Sequence, residues 1–339
     1  MKKFIILASS LFLVTSLLSA QNRIDNQGRR QGRWIKTDTD GSRIFEGEFK
    51  DGKEVGVFNY YYPNGKLKIR NTFTIPGRYC SHEAFDKEGR LLTKGFYDQK
   101  NRDSVWLFYN EDGRLIKRAT YRMGIKQGLH IVFTAQGDTA EVTNWLDNSR
   151  HGRWWKRIGK KGFITGNYMK GRLEGRLVEY DDNGKIARDG NYKNGLKDGN
   201  NTIYENGIAT VMEVWQNGAL ASRNIKVTCP DERWISAFSI AYYMPKGSNG
   251  TNVYLNDGSR LQCSESPDLI GQRLADSPFV IVDRKSRLVA NTNNIEGIEK
   301  DTEGREILKL APATPFSIFP DDECKKMIRS INRIDELDQ

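Results

Sequence analysis

The sequence predicts a mainly β protein: an elongated array of about eight antiparallel β-hairpin repeats followed by a small, β-rich α+β domain. Three observations carry this. Glycine-marked turns recur at a regular interval across residues 32–222. An aromatic residue falls in register late in every unit, at Phe49, Phe73, Tyr97, Tyr121, Trp145, Tyr168, Tyr192 and Trp215, spaced by 24 residues nearly everywhere and by 23 twice. The chain is polar, 28% charged against 37% hydrophobic, yet 11% aromatic, with a mean hydropathy of −0.65. That balance suits thin β layers better than a large two-sided core. Thirty-two glycines against nine prolines suit repeated turns.

The elements follow in order. Residues 1–20 form a predicted signal peptide: Lys2 and Lys3, the apolar stretch Phe4–Leu18, then Leu18-Ser19-Ala20 before Gln21. The apolar run falls short of the ~20 residues a spanning helix needs. The expectation is a cleaved, unlipidated, exported protein beginning at Gln21. It would be periplasmic, in the cell envelope or extracellular, with no transmembrane helix after cleavage. Residues 21–31 are a polar lead.

Residues 32–222 hold the repeats. The unit is clearest from Gly175 to Gly199. An extended run, Arg176–Tyr180, is turned by Asp181-Asp182-Asn183-Gly184, and a second run, Lys185–Lys193, is turned by Asn194-Gly195. Asn or Asp followed by Gly is a strong hairpin signal, because Gly takes a positive φ without a Cβ clash. The opening slot holds Gly32, Gly56, Cys80, Ser104, Gly128, Gly152, Gly175 and Gly199. The first-turn slot holds Gly41, Gly65, Gly89, Gly113, Gly137, Gly162, Gly184 and Gly207. Two residues past each opening lie Trp34, Phe58, His82, Trp106, His130, Trp154, Leu177 and Asn201, predicted to stack like on like. Asn201 marks a terminal unit. Sixteen strands at about 4.8 Å spacing would extend roughly 75 Å.

Ile44-Phe45-Glu46-Gly47-Glu48-Phe49-Lys50-Asp51-Gly52-Lys53 with Gly56, and again Gly190-Asn191-Tyr192-Lys193-Asn194-Gly195, resemble the MORN family in the variant form of YwqK-like antitoxin-type proteins. The resemblance implies an antiparallel hairpin array used as a binding surface, and it implies no activity. Repeat three departs from it at Cys80 and His82.

Residues 223–339 change composition and lose the period. Phe238–Tyr243, Asn252–Leu255, Phe279–Val282, Arg287–Val289 and Ile307–Leu310 read as strands. Ser266-Pro267-Asp268 begins a helix, with Ser at the cap and Pro in the first turn. Pro320-Asp321-Asp322 begins another, in which Met327, Ile328, Ile331, Ile334 and Leu337 recur at helical spacing. Asn256-Asp257-Gly258, the short helix and residues 279–298 together resemble the LytTR family. That resemblance implies a DNA-binding domain and points to Arg284, Ser286 and Asn291. The position before Arg284, usually His in that family, is Asp283.

Charge separates the two parts. Residues 21–222 carry 35 basic and 25 acidic side chains, a net +10, whereas 223–339 carry 16 basic and 18 acidic, a net −2. The densest mixtures of cation and ring are Arg153, Trp154, Trp155, Lys156 and Arg157, and then Arg33 and Trp34; these are the candidate binding residues. Strand alternation offers the plainer account, with rings inward and cations in solvent.

No catalytic constellation, metal-ligand spacing or cofactor fingerprint is present, so no catalytic residue, metal or cofactor is predicted. His82 and His130 sit in the aromatic slot two repeats apart, too far to share a zinc ion. Pairing among Cys80, Cys229, Cys263 and Cys324 is open; export would permit a disulfide. The reading is an exported, non-enzymatic binding or scaffold protein whose partner is a protein or an anionic envelope component. Peripheral membrane contact is a further option. DNA binding is not expected because export removes the chain from DNA. The alternative is a transcriptional regulator acting through the LytTR-like domain.

Overall fold

The computed structural model describes residues 21–314 and 317–337, with side chains through 331. The expected signal segment 1–20 lies outside the described residues, as do the side chains of Ile334 and Leu337. Contacts divide the chain into two compact units, 1–149 and 150–339.

The first unit is an antiparallel meander. Its hairpins pair Arg30–Thr37 with Arg43–Lys50, Lys53–Tyr61 with Leu67–Ile75, Tyr79–Phe85 with Leu91–Asp98, Asn101–Tyr109 with Leu115–Arg122, and Gly128–Phe133 with Thr139–Leu146. The first turns are built on a side-chain acceptor. Asn110 Oδ1 accepts the amides of Asp112 and Arg114 at 3.1 and 2.9 Å, and Asp86 Oδ1 does the same for Glu88 and Arg90 at 3.0 and 2.8 Å. Asp and Asn favour turns for this reason. The second turns need two residues at positive φ, as in Asp51-Gly52 (53° and 78°) and Met123-Gly124 (48° and 84°).

The polar lead is folded too. Arg23–Ile24 pairs with Arg30–Gln31, and Asp25 accepts from the Arg29 amide, the Gln31 side chain and the Arg29 guanidinium. These bonds hold its carboxyl well below the usual carboxylate range, the Arg29 amide contributing most.

The slot two past each opening is the core of the unit. Phe58, His82, Trp106 and His130 are buried, whereas Trp34, in the first repeat, is half-buried. Depth is possible because a small residue faces the ring. A Cβ on Gly47 would stand 2.5 Å from the Phe58 ring, and one on Gly95 would stand 2.4 Å from Trp106. Trp106 Nε1 donates to the Phe96 carbonyl at 3.0 Å. One repeat on, His130 Nε2 makes the equivalent bond to the Thr120 carbonyl at 2.9 Å, so that nitrogen carries the proton. Histidine therefore replaces tryptophan ring for ring and donor for donor.

The second unit continues the pattern. Ser149–Arg157 pairs with Phe163–Met169, Gly175–Tyr180 with Ile186–Lys193, and Leu196–Glu205 with Ile208–Gln216. Gly162 is not the left-handed glycine of its turn: Gly159 takes φ 64°, and Ile158 N–H donates to the Gly162 carbonyl at 2.8 Å. A ninth hairpin, Ala219–Thr228 with Glu232–Ser236, follows. Arg223 and Ile225 stand in its opening and core slots, so glycine and aromatic signals are absent although the geometry persists.

Ile225 and Val227 share a cluster with Tyr243, Ile270 and Leu274, and Cys229 and Cys263 form a disulfide beside them. Cys80 and Cys324 are buried free thiols. Arg273 is bidentate to Glu205, at 3.0 and 2.7 Å, and donates to the Lys226 carbonyl. Helix α1 (Pro267–Arg273) is thereby tied to the last repeat strands.

A five-stranded antiparallel sheet runs Arg260–Cys263, Thr251–Leu255, Ile240–Pro245, Leu288–Asn291, Phe279–Asp283. Ile295–Lys300 pairs with Glu306–Leu310. Helix α2 (Asp322–Leu337) closes a second cluster through Ile328, with Tyr242, Leu288 and Leu308.

Three details differ from expectation. Phe238 lies in a one-turn 3-10 helix capped by Ser236. Arg287 lies in a turn at φ 54°. The strands Glu232–Ser236, Arg260–Cys263 and Ile295–Lys300 carry no clear periodic signal. No helix among the described residues is long and apolar enough to cross a membrane.

Candidate binding surface

Position two before each repeat opening carries a cation in six of eight units: Arg30, Arg78, Arg102, Lys126, Arg150 and Lys197, with Glu54 and Leu173 the exceptions. This slot lies one diagonal step from the ring late in the same hairpin. Gly128, for example, faces Trp145, and Lys126 is two residues earlier in the chain. Five of these six cations cover the rings. Arg30 lies 5.1 Å from Phe49, Arg102 5.6 Å from Tyr121 and Lys126 4.2 Å from Trp145. In the second unit, Arg150 lies 5.2 Å from Tyr168 and Lys197 4.2 Å from Trp215. A cation over a partly desolvated ring contributes about 0.5–2 kcal/mol. Part of the basic excess is therefore structural.

The residues singled out in the sequence divide between the two faces of their strands. Trp34 packs edge-on against Phe49 at 5.8 Å, beneath Arg30 at 4.9 Å. Arg33 points to the other face, exposed, and pairs with Glu46 at 3.2 Å. Trp154 is buried and meets Tyr168 edge-on at 5.6 Å.

Trp155 is half-buried on the opposite face, with Arg153 and Arg157 at alternate positions. It leads a ring row: Trp155–Phe163 at 5.9 Å and Phe163–Tyr180 at 4.5 Å. Arg157 donates to the Lys160 carbonyl at 3.0 Å. Lys156 is exposed, as are Lys160 and Lys161 in the turn. The structure thus brings Arg153, Trp155 and Arg157 together and sets Trp154 apart in the core. Arg33 and Trp34 do not form one patch.

The three LytTR-like positions serve local structure. Arg284 is exposed but pairs with Glu323 and, at 3.7 Å, with Asp321. Ser286 donates its hydroxyl to Asp283 in a tight turn. Asn291 is buried, accepts the Asn293 amide at 3.1 Å and donates to the Ile240 carbonyl at 3.3 Å, capping a 3-10 turn. Among the described residues no group of His, Cys, Asp and Glu could hold a metal ion.

Two periodic slots escape a reading of the string for glycines and rings. One is the cation slot. The other is the small-residue slot, Gly47, Gly95 and Ala119 in the first unit, then Gly166 and Gly190 in the second, with Asn71, Thr143 and Glu213 the exceptions. Both recur at the repeat step, so the period that marks the aromatics marks them as well.

Two segments, 54–74 and 173–194, match the family described as MORN repeat variant. They fall in repeats two and seven, in strands that carry Phe58 and Leu177. MORN repeats are often protein- or membrane-binding modules and are typically non-catalytic. No curated protein matches the chain.

Proposed function

We propose that this protein is an exported, non-enzymatic scaffold that binds an anionic envelope component or an acidic protein partner through the solvent-facing side of its MORN-type, YwqK-like repeats. One observation carries the reading: Trp154 is turned inward, and Arg153, Trp155 and Arg157 share the opposite face of the same strand. Lys160 and Lys161, exposed in the turn that follows Arg157, add to that cationic face. Rings and cations side by side suit anionic groups, with attraction that weakens as salt rises. The residues of the 1–20 segment support export and a mature terminus at Gln21.

The test is binding of the mature full chain to heparin and to anionic vesicles across a salt series. The double variant K160E/K161E, both in exposed positions beside that face, is expected to lose at least about tenfold in affinity and to flatten the salt dependence. Unchanged affinity in that variant, or binding indifferent to salt, would refute the assignment. The regulator alternative, a LytTR-like DNA reader, draws no support from Arg284, Ser286 or Asn291, each of which is engaged within its own fold.

A further inference from the structure

The row of cations over rings breaks once in the first unit with a reversal of charge, and a cavity lies at the break. In repeats one, four and five a cation stands over the ring late in the same hairpin. Repeat two places Glu54 in that slot, and no cation covers its ring, Phe73, among the described residues. The next opening position is Cys80 rather than glycine.

Phe73, Cys80 and Tyr97 face one another across three successive strands. With no cation over Phe73 among the described residues, a gap is left between the rings, floored by Cys80 at 4% exposure. The gap is a cavity of about 280 Å³, walled by Tyr60, Phe73 and Tyr97, with Glu54 and Lys100 at its sides. The Glu54 carboxylate stands at the wall beside Gly77: its Oε2 lies 3.5 Å from where a Cβ on Gly77 would stand. Burial, with the Glu54 charge adding, raises the pKa of Tyr60 and of Cys80, so both stay neutral.

The rim carries a second anomaly. Gly52, Gly124, Gly171, Gly195 and Gly218 hold the left-handed second position of their turns and Asn148, which tolerates it, holds another, but in the Gln99-Lys100 turn it is Lys100, at φ 68°. A left-handed lysine is strained, and strain of this kind concentrates at functional positions. The other lining cation, Arg78, is already bidentate to Asp98 at 2.9 and 3.3 Å.

We propose that this cavity binds a small zwitterion: an alkylammonium group enters among Phe73, Tyr60 and Tyr97 beside Glu54, and its anionic group meets Lys100. The ligand's cation takes the place that the chain's own cation fills in repeats one, four and five. Three rings and a carboxylate are the chemistry that recognises ammonium groups, and the cavity has the size of a headgroup rather than a polymer.

The test uses the full chain with phosphocholine and choline as probes, by calorimetry and by NMR line broadening. Phosphocholine is expected to bind more tightly than choline by at least about fivefold, because only it engages Lys100. Lys100→Gly, which restores the usual turn residue, should erase that preference and leave choline unchanged. Glu54→Lys, which supplies the cation of repeats one, four and five and so fills the cavity without unfolding the strand, should abolish both; Glu54→Gln should weaken both. Phosphatidylcholine vesicles, tested by co-sedimentation, assign the source: binding to them and to phosphocholine identifies a membrane headgroup, and binding to phosphocholine alone identifies a soluble zwitterion. Failure of both probes at millimolar concentration, or full affinity in a folded Glu54→Lys variant, overturns the proposal. Heparin binding is unaffected by these outcomes, so it stands or falls separately.

Discussion

Replacing Trp106 by alanine tests the central packing claim most directly. The side chain is completely buried, is met edge-on by Tyr97 at 4.9 Å, lies 5.4 Å from His82 and is covered by Arg102 at 4.7 Å. Truncating a buried large aromatic costs about 3–5 kcal/mol. The Phe96 carbonyl would also lose its donor, which adds about 1 kcal/mol. Collapse of the site is restricted because Gly95 has no side chain to fill it. The expected loss is therefore at the upper end, about 4–5 kcal/mol.

Trp106→His should behave differently. His130 shows that a histidine in this slot keeps a flat ring and the same donor bond, so about half the loss should be recovered. Urea denaturation followed by far-UV circular dichroism measures both, with the slope of the transition checked because repeat arrays can lose cooperativity. A loss below about 1 kcal/mol at unchanged slope, or a histidine variant no better than alanine, would refute the packing claim.

Two further outcomes follow. Burial, with the Arg102 charge adding, lowers the His82 pKa to about 4 from its ordinary 6.5. Between those values the unfolded chain takes up a proton that the folded chain refuses. Stability should be complete above pH 6.5 and fall by up to about 3 kcal/mol as pH drops toward 4; His82→Phe, which copies Phe58 in the same slot, should remove that part of the decline, and an identical pH profile in the variant would exclude it. Asn201 is only 2% exposed, and its Oδ1 has no hydrogen-bond partner among the described residues. Asn201→Leu, which copies Leu177 one repeat earlier, should raise stability by about 1 kcal/mol, measured as a rise in the urea midpoint at unchanged slope.

The repeat is legible in the string of residues alone. A stacked hairpin presents the same environment at the same position in each unit, so turns, rings and openings recur in the string as they do in space. That is why Phe58, Trp106 and Trp154 could be placed in the core slot, and why Ser266 could be read as a helix cap. Strand alternation likewise anticipated that Trp154 would turn inward while its cationic neighbours faced solvent.

The tertiary structure decided what depends on neighbouring strands. The cation slot becomes meaningful only when the register sets Lys126 diagonal to Trp145. His130 becomes a tryptophan substitute only when its ring nitrogen meets the Thr120 carbonyl. The ninth hairpin is invisible in the string because Arg223 and Ile225 keep the geometry without the glycine and the ring. Pairing of Cys229 with Cys263, 34 residues apart, depends on a chain path that spacing does not specify. The cavity at Cys80 becomes visible only when the register brings Phe73 and Tyr97, 24 residues apart in sequence, to either side of Cys80 with no cation over Phe73 among the described residues.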